Sequence, residues 1–255
     1  MLLALDTATP AVTVALLADG ELCAERTVVD ARRHAELLAP LIDGVLGDAG
    51  AGRRDLALVA CGVGPGPFTG LRVGVVTARV LAAALRLPCV GVCSLDALAL
   101  QAHAEGDVRG PFGVATDARR REVYWAGYDG DAVRVRGPRV QRPADVAADH
   151  ADLPFVGAGA LAYRQDFLDA REPHHPSAAW LGLLVHRALG AGEPLPEPIA
   201  EPQADDPHRG QGDDPHGDGA LGAPQPGRVL LPPVPLYLRR PDAVEPGARK
   251  QVLPS

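Results

Sequence analysis

One order of segments occurs twice in this chain, and it limits the fold more than any other feature. The apolar run Leu2 to Asp6 ends on an aspartate and turns at Thr9-Pro10. A second run, Val12 to Leu17, follows, and Asp19-Gly20 leads into Leu22 to Val29. Downstream, Phe112 to Thr116 ends at Asp117, a polar turn precedes Glu122 to Tyr128, and Asp129-Gly130 leads into Val133 to Val140. Asp-Gly between apolar runs is a hairpin signal, because both positions tolerate positive φ. Later in each half an apolar strand closes on Gly-x-Gly, first at Gly62-Val63-Gly64 and then at Gly157-Ala158-Gly159. Three matches in one order indicate a duplicated unit.

Helical spacing fills the first unit. From His34 onward, Leu37, Leu38, Leu41, Ile42, Val45 and Leu46 recur at three and four residues until Gly47 and Gly50, with a bend expected at Pro40. Leu56 to Cys61 reads as a buried strand, Leu71 to Leu85 as a helix, Pro88 to Cys93 as a strand, and Ser94 as the N-cap of a helix over Leu95 to His103. Hairpin-linked strands followed by alternating helix and strand predict an α/β fold of two duplicated mixed-sheet lobes. The expected borders are residues 1–105 for the first lobe and 106–192 for a smaller second lobe. Residues 193–233 are expected to form a disordered insertion rich in Pro, Gly and Asp, and 234–255 a C-terminal tail. In that insertion His208 and His216, in DDPHRG and DDPHGDG, read as solvated loop residues rather than metal ligands.

Aromatic residues make up 4% of the 255, so aliphatic side chains and alanine must fill the core. No apolar run approaches the roughly 18–20 residues of a membrane helix, and the start has no basic n-region. A cytoplasmic protein without membrane contact is expected, with Cys23, Cys61, Cys89 and Cys93 as buried free thiols. The net charge of −7 argues against a chain that grips RNA unaided.

The loop Gly64-Pro65-Gly66-Pro67-Phe68-Thr69-Gly70 opens a helix, where free N–H groups would suit an anion. It lacks the Gly-Lys-Ser/Thr of a phosphate loop, and its prolines remove two N–H donors, so a rigid turn is the stronger reading. Thr69 is a candidate N-cap. The helix that follows is apolar around most of its circumference, with small residues at Gly70, Gly74, Thr77 and Ala78. It fits a deep core or, preferred here, a partner interface shared with the helix from His34. Asp6 and Asp117 would suit a magnesium-nucleotide cleft, or each caps a tight turn. Arg119, Arg120 and Arg121, beside Arg134, Arg136, Arg139 and Arg142, are read as a solvated hairpin more than a phosphate contact. Neither a nucleophile with its base nor a metal-binding histidine pair is evident.

Together, LALDTATPAVTVAL, RRHAELLAPLI, VGPGPFTGLRVGVVTAR, VCSLDALA, DARRREVYWAGYD and PLYLRRPDA resemble the TsaB (YeaZ) family. VGPGPFTGLRVG and DARRREVY are its specific marks. Pro67, where members usually carry serine, and the long insertion depart from it. The resemblance implies the two-lobed, RNase H-like fold of the actin-like ATPases. It implies a non-catalytic partner of TsaD, the subunit that transfers threonylcarbamoyl to the adenosine beside the anticodon of ANN-decoding tRNAs, with TsaE as the ATPase component. ATP and magnesium would then be used by the complex, tRNA met through the complex, and a homodimer formed by the chain alone. Family pairing through first-lobe helices maps onto His34, Leu38, Leu41, Ile42, Gly70, Val73, Gly74, Thr77 and Leu81. A bulky residue at Gly74 is accordingly expected to break the complex and spare the fold. The alternative is an ATP-dependent phosphotransferase or ATPase with Asp6, Thr7, Gly64, Gly66, Thr69 and Asp117 around its cleft. A metallopeptidase, the third possibility, lacks the histidine pair.

Overall fold

The computed structural model describes residues 1–198 and 228–238. Strand β1 (Leu2–Asp6) lies at the centre of the first sheet, which explains why its side chains are buried on both faces. It pairs antiparallel with β2 (Ala11–Ala18), which pairs with β3 (Glu21–Val29) across the Asp19-Gly20 turn. On its other side β4 (Leu58–Gly62) and β5 (Cys89–Val92) run parallel, giving the order β3-β2-β1-β4-β5.

The second sheet repeats this topology. Its strands are β6 (Phe112–Asp117), β7 (Val123–Tyr128), β8 (Arg134–Gln141), β9 (Phe155–Val156) and β10 (Ala170–Arg171). Their order is β10-β9-β6-β7-β8, with β6, β7 and β8 antiparallel and β9 and β10 parallel. The duplicated α/β architecture read from the segment order is therefore present.

Alternation along β1 assigns the layers. Leu3 and Leu5 face one core with α1 (His34–Asp48) and α2 (Phe68–Leu85), whereas Ala4 faces the other. On the second sheet, α4 (Pro143–Asp149) and α5 (Ala158–Ala162) cover the face of Trp125 and Phe155. The helices between the sheets are exchanged. The helix α3 (Ser94–Glu105) follows the first sheet, yet its Leu95, Leu98, Ala99 and Ala102 pack on Phe112, Val114 and Tyr128 of the second. Conversely α6 (Ala178–Gly190) follows the second sheet, and its Leu181 and Val185 pack on Ala4, Ala15 and Leu17 of the first. The expected border at 192 thus places α6 in the wrong lobe; its apolar face belongs to the first core.

Several local expectations change. Pro40 sits inside the continuous helix α1. Neither Ser94 nor Thr69 caps its helix: the cap positions are Cys93 and Pro67, without side-chain cap bonds. Cys23, expected buried, is exposed. The 18 residues of α2 are long and apolar enough to cross a membrane by length and composition, although Arg72 and Arg79 interrupt any continuous apolar run. In this fold Leu71, Val75, Ala78 and Ala82 of that helix lie in the first core.

Residues 199–227, with His208 and His216, lie outside the described residues, as does the tail from 239. The chain is again described from Arg228, five residues before the border expected from composition. There Leu231 exchanges both backbone hydrogen bonds with Gly91, at 2.7 and 2.9 Å, and Leu230 is buried. Glu193 accepts from Val229 N–H and Leu230 N–H at 3.1 and 2.9 Å, so the described residues on either side of 199–227 meet at one carboxylate.

Candidate functional site

The glycine loop, the turn after β1 and the start of α2 meet at one point, and Thr7 joins them. Its Oγ1 donates to Gly70 O at 2.8 Å and accepts from Gly74 N–H at 3.0 Å, which ties the turn to the first turns of α2. That approach needs glycine. A Cβ at Gly74 would overlap Thr7 Oγ1, and one at Gly66 would overlap the Ala8 carbonyl. Gly64 has φ 93°, and its N–H donates to Ser94 Oγ at 3.2 Å. These contacts make the loop a rigid support for the helix, as its two prolines suggested.

Asp6 is fully buried. Its Oδ1 accepts from Ala8 N–H at 2.7 Å, and its Oδ2 accepts from Ser94 Oγ at 2.5 Å, so Ser94 anchors β1 instead of capping α3. Burial pushes the Asp6 carboxyl up to about 6, against the lowering effects of Ser94, Ala8 and His34. Asp117 makes the equivalent turn, with Arg119 N–H at 2.8 Å and the Arg119 guanidinium at 3.5 Å. Both aspartates therefore hold the residue two positions on, at the ends of equivalent strands. Asp6 is absent from the walls of the hollow between the lobes. The buried Asp6, packed under Gly62 and Ser94, does not fit the role of a magnesium ligand in that space.

The hollow itself measures about 240 Å³ and is lined by Thr7, Thr9, His34, Thr69, Gly70 and, from the second lobe, Arg119. His34 Nε2 donates to Thr9 O at 2.9 Å and fixes the start of α1 against the turn. At its rim Phe68 stacks on Tyr237 with centroids 4.9 Å apart, and Arg72 lies 5.0 Å over the Phe68 ring.

Across α1 and α2 the expected partner residues divide. His34, Leu38, Leu41, Ile42, Gly70 and Gly74 are buried in the lobe, because their side of each helix faces the sheet. Val73, Thr77 and Leu81 are half-buried between the helices. The outward face carries Val76 and Val80, 51% and 62% exposed, which the small-residue pattern did not mark. With Ala39, Asp43, Arg53, Ala84 and Leu85, and with Ile42, Thr77 and Leu81 of the expected partner residues, they border a groove of about 600 Å³. The charged residues among its described lining, Arg53 and Asp43, form an ion pair at 2.6 Å.

Residues 26–165 match the family model described as TsaD, tRNA N6-adenosine threonylcarbamoyltransferase. An uncharacterized protein of Mycobacterium tuberculosis (strain H37Rv) is 44% identical over 205 residues, 79% of this chain and 92% of that protein. The tRNA threonylcarbamoyladenosine biosynthesis protein TsaB of Escherichia coli (strain K12) is 38% identical over 130 residues, 51% of this chain and 55% of that protein. Among solved structures, YeaZ from Pseudomonas aeruginosa is similar with a TM-score of 0.68 and 33% identity, covering 77% of this chain and 94% of that one.

Proposed function

Because this chain belongs to the TsaB (YeaZ) family, we propose that it serves tRNA threonylcarbamoyladenosine biosynthesis as a non-catalytic subunit that docks TsaD through α1 and α2. The observation that carries the reading is the outward face of these helices. Val76 and Val80 stand exposed beside an apolar groove whose described charged residues, Arg53 and Asp43, pair with each other. Exposed apolar surface of this kind costs solubility unless a partner covers it. Each buried CH₂ would contribute about 0.8 kcal/mol to docking, so two valines and their neighbours matter.

In the same reading, Asp6 and Asp117 are structural turn carboxylates, and ATP and magnesium act elsewhere in the complex, where TsaE is the ATPase. Without TsaD the same face pairs with a second copy of the chain, and tRNA is met through the assembly. The test is co-elution with TsaD of a Val76→Asp/Val80→Asp variant. Loss of co-elution with an unchanged melting temperature is expected. Retained co-elution would place the docking face elsewhere.

A further inference from the structure

We propose that the arginine turn between β6 and β7, with the adjoining end of β8, is a contact surface for RNA phosphates. The inference rests on the tRNA-modification reading above. Three observations carry it.

The first is the backbone. Arg119, Arg120 and Arg121 have φ of 61°, 52° and 61°, three successive residues in the left-handed region. That region is sterically unfavourable for an L-residue with a side chain, a cost that Gly or Asn largely avoids. Arginine gives no such relief, so the strain is held for the side chains. Such outliers collect where a site must be preorganised. The turn is also fixed: Ala118 N–H donates to Glu122 O at 3.0 Å, Glu122 N–H to Arg119 O at 2.9 Å, and Arg119 N–H to Asp117 Oδ1 at 2.8 Å. A fixed frame lowers the entropy lost on binding.

The second is register. Val123 pairs with Gln141 and Trp125 with Arg139, which brings Arg139 and Arg142 to the end of β8 beside the turn. Arg139 lies on the edge strand β8, Arg142 directly follows it, Arg119, Arg120 and Arg121 form the neighbouring turn, and all five are exposed. Over residues 117–122 and 139–142 the acids are Asp117, which pairs with Arg119 at 3.5 Å, and Glu122, with Asp145 and Asp149 on the helix beyond. The turn and the end of β8 therefore carry more arginine than carboxylate in a chain of net charge −7. Guanidinium groups pair with phosphate through two parallel hydrogen bonds.

The third is continuity. Arg119 lines the same hollow as Thr69 and Gly70 in the first turn of α2, a helix without an acidic residue there. The positive end of the helix dipole therefore extends the cationic border onto the first lobe. A net negative chain binds RNA poorly alone. Inside a complex that already holds RNA, the effective concentration is high and a local cationic border suffices.

The test measures affinity of the reconstituted complex of this chain with TsaD for an ANN-decoding tRNA transcript, across a series of salt concentrations. In Arg120→Gln/Arg121→Gln/Arg142→Gln the affinity should fall. The slope of log affinity against log salt should flatten by about two to three, roughly one per phosphate contact removed. Lysine at the same three positions should restore the slope. If the glutamine variant co-elutes with TsaD and keeps the wild-type slope, the inference is wrong and the function reading stands. If the variant loses TsaD and its RNA affinity follows only in proportion, the border serves a protein and the inference fails. A wild-type chain that never co-elutes with TsaD overturns the function reading along with it.

Discussion

Asp6 shows how one carboxylate can be read in two ways until its neighbours are known. In the fold it is buried, held by Ser94 and Ala8, and its carboxyl is pushed up to about 6 by burial. The unfolded chain ionises this group near 3.8, so between about pH 4 and 6 the unfolded state binds fewer protons. Its contribution to stability is therefore full below 3.8, falls as pH rises and is constant above 6. Relative to Asp6→Asn, wild type should gain about 3 kcal/mol as pH drops from 6.5 to 3.5. Urea denaturation of both proteins at the two pH values measures this, and a constant difference would contradict it. Gly74 is a second case. The small-residue spacing on α2 is plain in the sequence, but which side of the helix faces the sheet depends on Thr7, sixty-seven residues away. Because a Cβ at Gly74 would overlap Thr7 Oγ1, Gly74→Val should cost about 1–3 kcal/mol of stability through overpacking. A thermal melt equal to wild type would return Gly74 to the interface list.

At the scale of elements, local signals were legible and long-range ones were not. Hairpins, α1, α2 and the repeated strand order follow from turn chemistry and periodicity, which act within a few residues. The exchange of α3 and α6 between sheets leaves no such mark. Ser177 does cap α6, accepting from Ala179 N–H, and Leu181, Val185 and Ala188 give it a helical face, yet nothing local says which sheet that face meets. A buried ion pair secures the exchange. Arg134 on β8 donates to Asp96 on α3 at 2.8 Å, and Tyr128 donates to the same carboxylate at 2.8 Å. Removing one partner leaves an uncompensated buried charge, so Arg134→Met should cost about 3–5 kcal/mol. Chemical denaturation checks this, and a loss under 1 kcal/mol would mean that the pair does not brace α3 on the second sheet.

For the whole molecule, the exchange makes each lobe depend on a helix supplied by the other. Residues 1–175 expressed without α6 would expose Ala4, Ala15, Leu17, Leu58 and Val90, and should fail to show a cooperative melt. A cooperative transition in that fragment would refute the interdependence. The excursion after Glu193 is the opposite case, because its return at Val229 and Leu230 is fixed on the Glu193 carboxylate. Deleting residues 202–226 should leave both the melting temperature and co-elution with TsaD nearly unchanged. In the proposed role this chain assembles a modifying complex and performs no chemistry with its aspartates. The direct measurement is the rate of tRNA threonylcarbamoylation reconstituted from purified components, with wild type, with Asp6→Asn and with Val76→Asp/Val80→Asp. Near wild-type modification with Asp6→Asn and loss of it with the valine variant is the predicted result. Modification abolished by Asp6→Asn, with its fold and co-elution intact, would contradict the account.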